Sequence, residues 1–338
     1  MSEQRKLRWG ILGASRMAGT MLPFLIQANN AQLTAIASRR PGAAEGLLAK
    51  AAPQLINDVK TLDDPHRLLQ DPDVEAIYLP MANEEHGQWA LRCLEHGKHV
   101  LVEKPMALTL EDIEAIEKAA QSRRLKVMEG FMYRFHPQHS RVREIIAAGT
   151  IGEIRTVRTT FSFLMTPQRL YRVSRPVEQG GGAMWDIGCY AIHTARMFFD
   201  TPPLRAFALA NYNEHGADIG DSGVFDFGEG RYAQFDFSFQ RARRAEYELI
   251  GTRGGIKCHN VWAKPGEVPT ISWWTEAGKQ CEERLPPANH FRLEIEHFSD
   301  CVLNDRSPAL DMEDAKTNCR AITAVLQSIH EKRAIEVG

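Results

Sequence analysis

Short apolar runs and helix-periodic segments alternate along the first 131 residues. Residues 7–13, Leu-Arg-Trp-Gly-Ile-Leu-Gly, read as a strand ending in glycine. An apolar helix follows through Met21, Leu22, Leu25 and Ile26, then a strand over 32–38 and a helix over 41–51. A short helix at 61–70 lies in a loop-rich region, and a buried strand is expected at 74–79. The helix expected at 84–95 closes on Gly97, the residue type that ends helices in the left-handed conformation. The next strand, 99–103, stops at an acid, a base and a proline. Thr109-Leu-Glu-Asp112 has capping-box spacing and opens a helix to about Arg123, and 126–131 gives a further strand. Strands separated by helices in this way imply a doubly wound parallel sheet.

The pattern changes after Phe131. A helix is expected at 138–148 and a half-buried strand at 154–163. Residues 164–182 read as a loop ending in three glycines, a lid or a substrate rim. Residues 183–199 read as a helix, and 204–285 as mostly strands alternating apolar with polar. This is the pattern of an open, mostly antiparallel sheet with one covered face and one free, the free face rich in aromatics and suited to oligomerisation. Two helices, 289–303 and 313–332, finish the chain. The expected fold class is α/β: a nucleotide-binding domain over 1–131, and an α+β domain over 132–338 for substrate binding and oligomerisation.

The first strand and helix carry chemistry. Gly13, Ser15 and Ala18 stand where the dinucleotide fingerprint G-x-G-x-x-G/A places its three small residues, which makes the first domain Rossmann-like. Gly13 allows the tight turn, the small side chain at 15 lets a pyrophosphate approach, and the helix start with Arg16 and Met17 faces the phosphates. An NAD site usually has an acid about 20 residues further on, on the ribose 2′-hydroxyl. Here Ser38, Arg39 and Arg40 follow the second strand. A missing acid and two guanidiniums favour a 2′-phosphate, so NADP is expected, with NAD as the alternative. The stretch Glu103-Lys104-Pro105 stands at the carboxyl end of a buried strand, where α/β sheets bind their ligands.

Composition narrows the classes. The 338 residues suffice for two domains, with 43% hydrophobic and 25% charged residues and a net charge of -2. No basic block asks for nucleic acid or a membrane surface, and no apolar run approaches a membrane span. The N-terminal Met-Ser-Glu-Gln-Arg-Lys does not read as a signal peptide, so a cytoplasmic location is expected. The six cysteines include no CxxC pair and are expected as reduced thiols. Among the twelve histidines, His136 and His139 are three apart, but Pro137 lies between them and no acidic or cysteine partner follows at ligand spacing, so no metal site is expected.

Four signatures then stand together: Gly10-Ile-Leu-Gly13-Ala-Ser-Arg-Met-Ala18, Glu103-Lys104-Pro105, Tyr133-Arg-Phe-His-Pro137, and Gly180-Gly-Gly-Ala-Met-Trp-Asp186-Ile-Gly188-Cys-Tyr190. They resemble the glucose–fructose oxidoreductase / inositol dehydrogenase / MocA family over nearly the whole chain. The resemblance implies hydride transfer between a nicotinamide and the carbinol or carbonyl carbon of a sugar, polyol or cyclic diol. It marks Lys104, Asp186 and Tyr190 as catalytic, and Asn83, His86 and Glu103 as further cofactor residues. It also implies a homodimer or tetramer through the open sheet. Tyr190 stands where many inositol-type members carry histidine, as in the NADP-preferring sugar and dihydrodiol dehydrogenases. Ala82, where proline is more usual, departs from the pattern. A lysine ammonium beside a tyrosine favours the phenolate, so Lys104 and Tyr190 make a chemically sensible proton-transfer pair, with Asp186 holding a substrate hydroxyl or orienting Lys104. A cofactor-binding regulator and an NAD-dependent glycosidase are the competing readings.

Overall fold

The computed structural model describes residues 5–199 and 201–338. Its first sheet is built from β1 (Leu7–Leu12), α1 (Arg16–Gln27), β2 (Ala31–Ala37), α2 (Ala43–Ala51), β3 (Lys60–Leu62), α3 (Pro65–Gln70), β4 (Ala76–Leu79), α4 (His86–Glu95), β5 (His99–Glu103), α5 (Leu110–Arg123) and β6 (Val127–Gly130). The six strands are parallel, in the order β3-β2-β1-β4-β5-β6. The sequence pattern missed β3, whose three residues are too few to show a period. Strands covered on both faces need apolar side chains throughout. Ala76, Ile77, Tyr78 and Leu79 are all fully buried, as are Val100, Leu101 and Val102. Strand order reverses between β1 and β4, which opens the ligand crevice beyond their carboxyl ends. Thr109 Oγ1 accepts the Asp112 amide at 3.2 Å, as the capping-box spacing requires, and Gly97 takes φ +74° just past α4.

The chain continues through α6 (Pro137–Ala147), β7 (Ile154–Ser162), α7 (Cys189–Arg196), β8 (Arg205–Tyr212), β9 (Asp218–Asp226), β10 (Tyr232–Ser238), β11 (Arg244–Gly251), β12 (Gly254–Cys258), β13 (Thr270–Thr275) and β14 (Gln280–Arg284). It ends with α8 (His290–Leu303), α9 (Met312–Glu331) and β15 (Ile335–Glu336). The second sheet has nine strands in the order β14-β13-β12-β11-β7-β10-β9-β8-β15, antiparallel except where β7 meets β10. Residues 164–182 contain helical turns at Pro167–Val173 and Val177–Gln179, where the sequence pattern reads as a loop.

The compact units are not consecutive in sequence. One comprises residues up to Phe135 together with His290–Lys316, and the other His136–Asn289 with Thr317–Gly338. A division at 131 separates α8 from the sheet it packs on. Trp9 of β1 meets Phe298 with ring centroids 5.5 Å apart and donates to Ser299 Oγ at 3.1 Å, and Phe24 stacks on Phe291 at 5.4 Å. These are long-range contacts, invisible to a local pattern.

The free face of the nine-stranded sheet also differs from expectation. Strand alternation sends Phe225, Phe235 and Phe237 to the covered face, where they are buried. The centre of the free face instead carries the ion pairs Arg158–Glu248 at 3.2 Å, Lys257–Glu246 at 3.1 Å and Arg241–Asp236 at 2.9 Å. The exposed apolar side chains Phe207, Leu209, Tyr212 and Tyr232 gather toward β8.

Candidate active site

In the first unit, the turn after β1 is the one the fingerprint marks for phosphate. Gly13 has φ +117°, a conformation side-chain-bearing residues rarely adopt, and its amide donates to the Ala37 carbonyl at 2.8 Å. Ser15 is the N-cap of α1, its hydroxyl accepting the Ala18 amide at 3.1 Å. The serine in the second glycine position therefore caps the helix that a glycine would leave uncapped. Arg16 and Met17 open the helix, whose first amides have no acceptor within it and carry the positive end of its dipole.

At the end of β2, Ser38 is buried and its hydroxyl accepts the Arg40 amide at 3.2 Å. Arg40 Nη2 donates to the Ala14 carbonyl at 2.7 Å, which ties this loop to the phosphate turn. Arg39 is exposed and grips Glu85 through both terminal nitrogens, at 2.8 and 3.0 Å. Gly13, Ser15, Ser38, Arg39 and Arg40 thus form one surface. A helix N-terminus beside two guanidiniums, with Ser38 in place of an acid at the end of β2, fits a dinucleotide carrying a 2′-phosphate. Glu85 is the residue sequence reasoning missed here. Nothing local marks it, because its partner lies on another strand end.

The loops after β4 and β5 are fastened to each other. Asn83 and His86 are buried, and the His86 ring nitrogens lie 2.6 Å from the Pro105 carbonyl and 3.1 Å from that of Met81. Lys104 is 9% exposed, and its peptide bond to Pro105 is cis. Glu103 accepts the Tyr78 hydroxyl at 2.6 Å, and Glu129 accepts the Met106 amide at 2.8 Å. Glu294 of α8 is buried nearby, and burial together with the Glu103 charge raises its carboxyl well above the ordinary range. Buried acids around the Lys104 strand end were not legible in the sequence, because Glu129 and Glu294 come from β6 and α8.

In the second unit, Asp186 lies on a π-helical turn, Met184–Gly188, that leads into α7. Its carboxylate is buried and forms an ion pair with Arg169, while Arg172 Nε lies 3.7 Å away on its other oxygen. Both arginines come from the segment before the three glycines, and Arg169 also covers the Phe163 ring at 4.9 Å. Tyr190 is 7% exposed and meets the rings of Phe161 and Trp262 edge-on at 6.0 and 5.7 Å. His193, one turn along, is fully buried. Asp218 and Asp221 of β9 are buried, Asp218 against the same turn, and sequence reasoning did not single them out.

Among the described residues there is no group of three or more His, Cys, Asp or Glu side chains placed to hold a metal, and no helix long and apolar enough to cross a membrane. None of the six cysteines forms a disulfide, and five are buried.

Residues 7–131 match the family model described as "Oxidoreductase family, NAD-binding Rossmann fold", and residues 139–257 match the GFO/IDH/MocA C-terminal domain. An uncharacterized oxidoreductase of Rhizobium meliloti is 30% identical over 95% of this chain and 96% of its own length. The D-xylose 1-dehydrogenase (NADP(+)) 2 of Haloferax volcanii is 27% identical over 98% of this chain and 100% of its own. Among solved structures, a 3-ketoreductase from Actinomadura kijaniata in complex with NADP and TDP-benzene superposes with a TM-score of 0.88 at 28% identity, over 96% of this chain and 98% of that one. Matched in both halves, the chain belongs to the GFO/IDH/MocA oxidoreductases, whose first domain is an NAD-binding Rossmann fold.

Proposed function

We propose that the chain is an NADP-dependent dehydrogenase or reductase, moving a hydride between the cofactor and a carbinol or carbonyl carbon of a sugar, polyol or cyclic diol. The observation that carries the cofactor is the surface formed by the phosphate turn, Ser38, Arg39 and Arg40. The names of the relatives, a xylose dehydrogenase and a ketoreductase solved with NADP, support the reaction and the substrate class. NADP, when bound, supplies the nicotinamide that takes or returns the hydride.

The chain's own residues handle the proton. Free tyrosine titrates near pH 10 and is a poor base at neutral pH. In this proposal Tyr190 takes the hydroxyl proton as the carbinol is oxidised, and returns it on reduction. The Lys104 ammonium favours the phenolate and binds the reacting oxygen. Asp186, fixed between Arg169 and Arg172, presents its carboxylate to a substrate hydroxyl. Gly13, Ser15, Arg16 and Met17 receive the pyrophosphate. Asn83, His86 and Glu103 shape the nicotinamide end. The exposed apolar cluster toward β8 supports a homodimer or tetramer through the open sheet. Light scattering that gives a monomer's mass would contradict that assembly.

A nicotinamide-absorbance screen of aldoses, polyols and cyclic diols with NADP and NAD tests the reading. Net cofactor reduction with at least one substrate class, preferring NADP, is expected. Release of an aglycone without net reduction points to a glycosidase, and tight cofactor binding with no turnover on any member points to a regulator.

Arg39→Ala tests the cofactor choice separately. Removing a guanidinium–phosphate contact is expected to raise the NADP dissociation constant about tenfold or more. The NAD constant should change little, because NAD has no 2′-phosphate. Equal effects in fluorescence titrations of the two cofactors would remove Arg39 from the site.

A further inference from the structure

We propose that Asp218 positions the Asp186–Tyr190 segment by capping its first turn, and that Asp221 holds the proton that lets the two carboxyls stay buried together. The positioning role rests on the reading of Asp186 and Tyr190 given above; the shared proton does not.

The geometry starts from the three glycines. Gly182 has φ +97°, its amide donates to the Arg172 carbonyl at 2.7 Å, and a Cβ placed on it would collide with Asp218 Oδ1. Any side chain there displaces the carboxylate. With glycine in place, Asp218 Oδ2 accepts the Met184 amide at 2.6 Å. Met184 is the first residue of the π-helical turn that carries Asp186 and runs into the helix of Tyr190. An ionised carboxylate on a terminal helix amide is a strong, charge-assisted cap. The last glycine of the motif thus makes room for the acid that holds the turn.

Asp221 explains how that acid is kept. Asp218 is 0% exposed and Asp221 1% exposed. Asp218 Oδ1 and both carboxyl oxygens of Asp221 are buried without a hydrogen-bond partner among the described residues. Three orphaned acceptors in one buried patch are costly, and two unscreened negative charges there are costlier. One proton on Asp221 removes the second charge from the patch.

The titratable and charged groups around the pair fit this division. Burial raises Asp218 to about 7 against the pull of its amide bonds, with the Glu178 charge adding to the rise. Burial, then the Asp218 charge, raises Asp221 well above the ordinary carboxyl range, opposed by Arg241. Partial burial, and then the two aspartates and Glu178, push Tyr212 up to about 12, so it stays neutral and adds no charge at neutral pH.

The sign of the pH dependence follows. Both aspartates bind protons more tightly in the folded chain than in the unfolded one. Their contribution to stability is fully present below about pH 4 and is lost as pH rises through the folded values, near 7 and above. Above that range two charges face each other, and the cap on Met184 loosens.

Carboxyl-carbon NMR of aspartate-labelled full-length chain tests the pair. In the wild type, two aspartate carboxyls are expected to titrate above about pH 6. In Asp221→Asn, which keeps the shape and cannot ionise, the higher of the two disappears and the other stays in place. Kinetics with a substrate from the screen test the positioning. Asp218→Asn should lower kcat by about tenfold to a hundredfold with KM for NADP unchanged. Asp221→Asn should keep kcat at neutral pH within about threefold and lose the fall on the alkaline side. Titration of both wild-type aspartates in the ordinary carboxyl range overturns the shared proton. A kcat and pH profile unmoved by Asp218→Asn overturns the positioning. The wild-type carbon titration needs neither turnover nor a folded variant, so it decides the shared proton even if every substrate fails.

Discussion

Lys104→Met is expected to lower turnover by about a thousandfold, while the NADP dissociation constant stays within about threefold of the wild type. The two halves of this expectation have different physical sources. Cofactor affinity is assigned to the phosphate turn and the guanidiniums after β2, none of which the substitution touches. Turnover is assigned to a positive charge at the carboxyl end of β5, beside the oxygen that gains or loses a proton. Methionine is unbranched and flexible, and it fills the space of the buried lysine stem without the ammonium. Lys104 is 9% exposed and Glu103 beside it is bonded to Tyr78, so the strand end keeps its own internal tie. Absorbance kinetics and a fluorescence titration on the same preparation read the two quantities. Near-normal turnover would remove Lys104 from the chemistry, and a parallel loss of cofactor affinity would reassign it to binding.

Tyr190→Phe is the second large effect. Phenylalanine keeps the edge-on ring contacts with Phe161 and Trp262 and removes only the hydroxyl, so the melting temperature should hold. A positioned proton-transfer group contributes about 10²- to 10⁴-fold, and kcat is expected to fall by that amount in both directions. The pH profile carries the sharper signature. In the proposed mechanism the Lys104 ammonium favours the Tyr190 phenolate, so oxidation in the wild type should accelerate on the alkaline side as the phenol ionises. The variant has no phenol to ionise, and that limb should vanish. Unchanged kcat together with an unchanged limb would leave Tyr190 as a packing residue of the Phe161–Trp262 cluster. The two variants are not expected to be additive, because a charge that acts through the phenol has little left to do once the phenol is gone.

What the sequence made legible was local. Gly13, Ser15 and Ala18 sit within one turn, Glu103-Lys104-Pro105 within one strand end, and the glycines with Asp186 and Tyr190 within one segment. Each is a short pattern whose geometry follows from its own residues. Thr109 and Gly97, read as helix-end signals, take those places in the structure. What escaped was set by partners distant in the chain. α8 packs on β1 through Trp9 and Phe298, so the first unit collects residues from both ends of the sequence. Glu85 matters because Arg39 reaches it from another strand end. Asp218 and Asp221 look like ordinary polar residues of an alternating strand, and only burial, for Asp218 under Gly182, sets them apart. The aromatic alternation of β10 was legible, but which of its faces is covered depends on the packing of α7 against it.

The central claim is that a hydride passes between the substrate's carbinol carbon and NADP while Tyr190 and Lys104 handle the proton. Isotope tracing tests it most directly. A substrate identified by the screen is deuterated at the reacting carbon and turned over with NADP, and the cofactor is then examined by mass spectrometry. The account predicts one deuterium per reduced cofactor. Deuterium lost to water, or retained in a substrate consumed without cofactor reduction, would contradict it.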